Sequence, residues 1–376
     1  MKMSSLDIMV LDGESRTTLG VVRSFTRKGL SVVVGSGHPL GRSNFSRGVK
    51  AHFTYDSSDT KRAHAAILKR VERMRPRVLM PIANFGWSIV YTHYRDYAAL
   101  TTVVPNPGKK YFDDLHDKWL LAGIAAQNGV SIPETVHPET RREALSLQPH
   151  LPYPVLLKPR RGVGGDNIRR VDRRHDFQRV LAGYQEMPVI QALVEGRDYE
   201  LTLLCVQGDP LAGSVYISLR NAPLPYGPPS ACRTIIDDEL VTLGMTFLKK
   251  LGYNGVAHLD FRKDRRDNRF KLLDFSVRLA GTNDVSLCSG IDFGYMQYRL
   301  ALGQTVEPAF AYAVGREYRW YLFNELRYLM KITPRAAAVR SHLKWRHVST
   351  DISLVDPIPS FARLAEAARR LIGNGR

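Results

Sequence analysis

A chain of 376 residues is too long for one simple core and points to two or three lobes. Its 44% hydrophobic and 24% charged residues fit a folded globular chain rather than a disordered one, and no apolar run reaches the roughly 18 residues of a spanning helix. The formal charge of +18 is scattered through doublets such as Arg160-Arg161 and Arg173-Arg174, with no RNP, zinc-finger or basic-zipper motif, so it reads as solvated surface and not as a specific nucleic-acid interface.

The first hundred residues alternate strand and helix. Asp7 to Leu11 is an apolar run, a helical stretch through Val21, Val22 and Phe25 stops at Gly29, and Ser31 to Val34 is the next strand. Lys61 to Met74 reads as helix, with strands at Val78–Met80 and Thr101–Val104. This alternation implies a parallel, Rossmann-like sheet covered by helices. No G-x-G-x-x-G follows the first strand, which argues against a nicotinamide or flavin site. A helix is expected from about Asp113 to Asn128, and prolines between Pro133 and Pro154 mark the approach to a second lobe. There the strand ending in Lys158, the glycine-rich turn from Arg160 to Asn167, and strands at Val189–Val194, Tyr199–Val206, Gly255–Phe261 and Phe270–Phe275 make an α+β arrangement. The three cysteines, Cys205, Cys232 and Cys288, show no metal or redox spacing, and the N-terminus lacks a small-residue cleavage site. Both features fit a reducing, cytoplasmic setting.

Lys158 beside a glycine-rich turn supplies a cation and accessible backbone N–H groups, the ingredients of an anion cradle. Asp260 and Asp274 fall on two strands joined by the polar turn Lys263–Asn268, so a hairpin sets both acids on one face, as a hard divalent cation requires. Ser276 and Arg278 alternate with Asp274 along that strand. His258 alternates with Asp260, and a hydrogen-bonded structural role is expected for it.

In order, Asp117-Lys118, Pro154 to Pro159, the glycine turn, Val189 to Tyr199, Asn254 to Phe261 and Lys271 to Arg278 resemble the ATP-grasp superfamily over roughly residues 1–305, most like the carboxylate–amine ligases related to D-aspartate ligase. The resemblance implies an ATP-grasp fold behind the Rossmann-like lobe, divided as 1–107, 108–305 with a lid at about 150–194, and a basic, helical extension over 306–376. It implies ATP and magnesium as cofactors. Lys118 and Lys158 would hold phosphates under a lid made by Gly162, Gly164 and Gly165. Gln191, with backbone groups of Ala192 and Val194, would border the adenine, and Asp198 would hold the ribose. Asp260, Asp274 and Ser276 would bind the metal, and Arg278 would act with Lys158 in catalysis. The family's metal strand usually reads Glu-x-Asn-x-Arg, so Asp274 and Ser276 are departures. They leave a catalytically weakened nucleotide-binding protein as the alternative to a ligase. Arg220 and Arg233, flanking a proline-rich loop, are the expected holders of the carboxylate substrate, since a guanidinium fork matches a carboxylate. In the tail, Arg316 to Lys331 reads as one helix whose Trp320, Phe323 and Tyr328 offer a membrane-surface contact as an alternative to core packing.

Overall fold

The computed structural model describes residues 6–162, 164–222, 227–325, 328 and 347–373. Five parallel strands, β1 (Ile8–Val10), β2 (Val32–Ser36), β3 (Val49–Thr54), β4 (Val78–Met80) and β5 (Thr102–Val103), form one sheet in the order β3-β2-β1-β4-β5. Helices α1 (Arg16–Arg27), α2 (Thr60–Met74), α3 (Asn84–Thr92) and α4 (Tyr94–Ala98) connect them. The strands are too short to alternate; β1 and β4 are apolar and buried throughout, as a sheet covered on both faces demands. The chain order reverses between β1 and β4, and such a switch point opens a crevice at the carboxyl ends of the strands. α1 begins in that crevice.

Helices α5 (Lys109–Leu115) and α6 (Lys118–Gln127) lead out of this sheet. Sequence periodicity expects one helix from Asp113 to Asn128, but the chain breaks at His116-Asp117. Asp117 accepts from the N–H groups of Trp119 and Leu120, and this capping bond starts a new helix with Lys118 as its first residue. A four-stranded antiparallel sheet follows, made of β6 (Thr135–Val136), β7 (Val155–Lys158), β8 (Arg169–Val171) and β9 (Val189–Ala192) in the order β6-β9-β7-β8. Its own small core gathers Val155, Leu157, Phe177 and Leu181 under α7 (Arg141–Leu147) and α8 (Phe177–Leu181).

The largest sheet has seven strands: β10 (Gly196–Val206), β11 (Asp209–Asn221), β12 (Pro229–Ile235), β13 (Gly255–Asp264), β14 (Phe270–Ser276), β15 (Glu317–Arg319) and β16 (Val348–Thr350), in the order β14-β13-β10-β11-β12-β15-β16. One face packs Leu201, Leu203, Leu259 and Phe275 against α9 (Asp238–Lys250). Helices α10 (Asn283–Ser289) and α11 (Phe293–Ala301) join this sheet to the first one, and α12 (Ile358–Gly373) returns to the N-terminal region. The tail therefore differs from one continuous helix over Arg316–Lys331: Glu317–Arg319 is a strand because β12 leaves an edge for it to pair with. Trp320 is buried, so it packs on the core and offers nothing to a membrane surface. The Phe323 side chain and most of the remaining stretch lie outside the described residues. Among the described residues, no helix is long and apolar enough to cross a membrane.

Candidate functional site

The three sheets surround a cleft of about 470 Å³. Its first wall is cationic. All four residues of β7 are buried, and Lys158 at its end reaches across to β9, donating to Gln191 Oε1 at 2.6 Å. Burial, and then repulsion from Lys118, pulls the Lys158 amine down to about 8. Lys118 sits at the start of α6, itself buried, with Nζ 3.4 Å from the Gly162 carbonyl and 3.9 Å from Asp274 Oδ1. Asp117 holds this helix start to the glycine turn, because Arg160 donates to both of its oxygens at 2.5 and 3.1 Å. In the turn, Gly164 and Gly165 have φ of +67° and +79°, and open space surrounds the place where a Gly164 Cβ would be. These two buried lysines, with Asp274 and Asp198 acting on Lys158 from a distance, gather positive charge of the kind that suits a polyanion.

The second wall carries the acids. In the β13–β14 ladder Asp260 lies directly opposite Asp274, and His258 opposite Ser276. Like charges facing each other destabilise a ladder unless a cation lies between them. Two carboxylates with a hydroxyl beside them are hard oxygen donors of the kind magnesium takes. Arg278 follows on the same side, with Nε donating to Asn84 Oδ1 and Nη1 to the Leu279 carbonyl at 3.0 Å. Burial lowers its pKa, in the direction of a guanidinium waiting for an anion.

Beside these acids stands a residue that sequence reasoning did not single out. Glu200 is buried on β10 opposite Asp260 and accepts from Ser218 Oγ at 2.6 Å and Thr282 Oγ1 at 2.9 Å. Burial, reinforced by Asp260, pushes its carboxyl up to about 7. His258 Nε2 lies 3.0 Å from Asp260 and 3.5 Å from Glu200, while Nδ1 meets Thr202 Oγ1 at 3.0 Å. The imidazole is thus fully partnered, as expected; burial works against its charge, but the two carboxylates outweigh this and raise its pKa. Alternation along β10 puts Asp198, Glu200 and Thr202 on one face, and that was the signal available for Glu200.

Gln191, Ala192, Val194 and Asp198 line the far end. There Asp198 pairs with Arg262 Nε at 2.5 Å, and Arg262 Nη1 donates to the Val194 carbonyl at 3.0 Å. The Ala192 N–H is already given to Glu134 at 2.8 Å. Arg220 and Arg233 do not line the cleft. Arg220 is turned away to the buried Glu325 at 2.8 Å, and Arg233 pairs with Glu317 on the sheet surface. The tail supplies both counter-ions, and nothing local to the proline-rich loop announces them; residues 223–226 of that loop lie outside the described residues. Besides Arg262 and Arg278, Arg16 from the first turn of α1 lines the cleft, and sequence reasoning did not single it out.

Comparison with known proteins gives this geometry a context. The family model described as an ATP-grasp domain matches residues 115–261. The chain is similar to D-aspartate ligase of Enterococcus faecium (strain Aus0004), 21% identical over 240 residues, covering 57% of this chain and 56% of that protein. It is similar to the carbamoyl phosphate synthase large chain of Clavibacter michiganensis subsp. michiganensis, 22% identical over 209 residues, covering 51% of this chain and 19% of that one. The chain thus spans about half, or much less, of these curated relatives. Among solved structures, the biotin carboxylase domain of Hydrogenobacter thermophilus 2-oxoglutarate carboxylase, in complex with MgADP, ADP and bicarbonate, superposes with a TM-score of 0.67 at 14% identity, covering 84% of this chain and 74% of that one.

Proposed function

We propose that this chain is a member of the ATP-grasp superfamily and an ATP-dependent carboxylate–amine ligase, a reading supported by its matched domain and its shared fold. The observation that carries the reading is the convergence of Lys118, Lys158, Asp260, Asp274 and Arg278 on one cleft. A carboxylate is a poor electrophile, because negative charge shields its carbon and it has no good leaving group. Transfer of the γ-phosphoryl group of ATP to a carboxylate oxygen gives an acyl phosphate and ADP; an amine then attacks the acyl carbon, the C–N bond forms and phosphate leaves with the C–O electron pair. Asp260, Asp274 and Ser276 would hold magnesium, which when bound would supply neutralisation of the phosphate charge. Lys118 and Lys158 bind and orient the phosphates. Arg278, held at a fixed angle by Asn84, faces the anionic group being transferred. The glycine turn, closing over the lysines, keeps water from the acyl phosphate. Gln191, Ala192, Val194 and Asp198 form the nucleoside end in this reading, with Arg262 giving way as Asp198 turns to the ribose.

The test is ADP release across a panel of carboxylates and amines, beside direct titration with ATP. Expected is release that needs both substrates and magnesium and falls about 100-fold or more in Asp274→Asn. ATP binding with no turnover on any pair would favour the second reading, a nucleotide-binding protein weakened by Ser276 in its metal strand.

A further inference from the structure

Away from the cleft, α2, α3 and α4 bring two imidazoles and a carboxylate together. His64 comes from α2, His93 from the junction of α3 and α4, and Asp96 from the first turn of α4. Their ligand atoms all lie within 4.8 Å of one another. His64 Nε2 stands 3.5 Å and His93 Nδ1 3.7 Å from the same oxygen, Asp96 Oδ2. These separations are too long for good hydrogen bonds, but two donors each about 2.1 Å from a tetrahedral cation stand roughly 3.4 Å apart. Among the described residues no lysine or arginine pairs with Asp96, so the place of a cation beside it is not taken.

On its other side, His64 Nδ1 meets the hydroxyl of the buried Tyr97 at 3.1 Å. With the proton on Nδ1 and donated to that hydroxyl, the Nε2 lone pair faces Asp96, which is how a metal-bound histidine is oriented. The two rings stack with centroids 3.6 Å apart. Stacked rings cannot both aim a lone pair at one ion without a turn. Tyr97 pins His64, whereas the His93 side chain, 32% exposed, has room to move.

We infer that His64, His93 and Asp96 form a site for a divalent transition-metal ion of the zinc class, with water completing the tetrahedron on the open side. Two imidazoles favour such an ion over magnesium or calcium, which take oxygen donors. The ion is a clasp that ties α2 to the α3–α4 pair. It is separate from the cleft: Asn84, which holds Arg278, begins α3, and His93 follows its last residue, about 13 Å along the helix. The inference does not depend on the ligase reading.

The test is calorimetric titration of the full chain with zinc chloride, after stripping with chelator, without a histidine tag, and with excess magnesium to occupy the acids of the cleft. Expected is one tight zinc ion per chain, weakened about 100-fold or more in His93→Gln and in Asp96→Asn, and bound as in wild type by Asp260→Asn. Cobalt(II) in place of zinc should give the strong visible absorption of a four-coordinate ion, lost in His93→Gln. Metal-free melting temperatures close to wild type report that the variants fold, and the more exposed Asp96→Asn decides if His93→Gln does not. No zinc binding by the wild-type chain, wild-type affinity in Asp96→Asn or in folded His93→Gln, or loss of the ion in Asp260→Asn overturns the assignment.

Discussion

At the scale of the residue, Lys158 shows how function is held against stability. Its folded pKa of about 8 lies below the ordinary 10.5, so the folded chain binds fewer protons than the unfolded chain between these values. The charged amine therefore costs stability below pH 8, and the cost fades as pH rises toward 10.5. A neutral amine cannot pair with phosphate, so nucleotide affinity of the free chain is expected to fall as pH rises through about 8. Lys158→Met is expected to keep or raise the melting temperature at pH 7 while abolishing nucleotide binding, a pair of outcomes that calorimetry and titration check together. A lower melting temperature with binding retained would contradict both halves. This residue was legible in the sequence, because a lysine ending an apolar strand next to glycines is a local pattern. Arg16 was not, since nothing in Ser15-Arg16-Thr17 marks it off from the other arginines. Its partners Pro229 and Trp320 meet it only in the fold, the former across 213 residues.

At the scale of the element, β10 is the spine of the site. It pairs with both β11 and β13, sends Asp198 and Glu200 toward the cleft, and buries Leu201, Leu203 and Cys205 beneath α9. Its first residue, Gly196, leaves no room for a side chain: a Cβ there would lie 1.9 Å from the Lys263 carbonyl oxygen. Backbone cannot yield as a side chain does, so Gly196→Ala is expected to force β10 from β13 and cost about 2 kcal/mol. A urea midpoint unchanged from wild type would contradict this. The strand itself was readable from its alternation. The break before Lys118 was not, although Asp117 is a good capping residue, because the apolar periodicity runs on through it and only the clamp from Arg160 makes the capped geometry pay off. The error over Arg316–Lys331 has a related cause: a short edge strand is set by the neighbour that offers it hydrogen bonds.

At the scale of the whole molecule, the tail ties back to the first sheet. Asp356 receives Arg23 Nε at 2.8 Å, Ser46 Oγ at 2.7 Å and the Arg47 N–H at 2.9 Å. Burial disfavours the carboxylate, but these donors hold its pKa below the ordinary value. The stability it contributes is therefore present above the ordinary carboxylate range and lost as pH falls through the folded value. Asp356→Ala is expected to cost about 2 kcal/mol at pH 7 and to speed proteolytic cleavage between β16 and α12, with the difference from wild type shrinking as pH falls below the ordinary carboxylate range. Equal stability at pH 7 would remove the clamp from the account.

The sequence by itself determined the alternation of strand and helix, the glycine turn beside Lys158 and the two acids on neighbouring strands. Each depends on periodicity or turn chemistry within a dozen residues. Tertiary structure decided which charges meet. It turned Arg220 and Arg233 to acids of the tail, set Glu200 against His258 and Asp260, and brought Arg16 from the first helix into the cleft. Whether a buried charge is spent on a neighbour or left for a ligand depends on packing between elements hundreds of residues apart, and no local pattern carries that information.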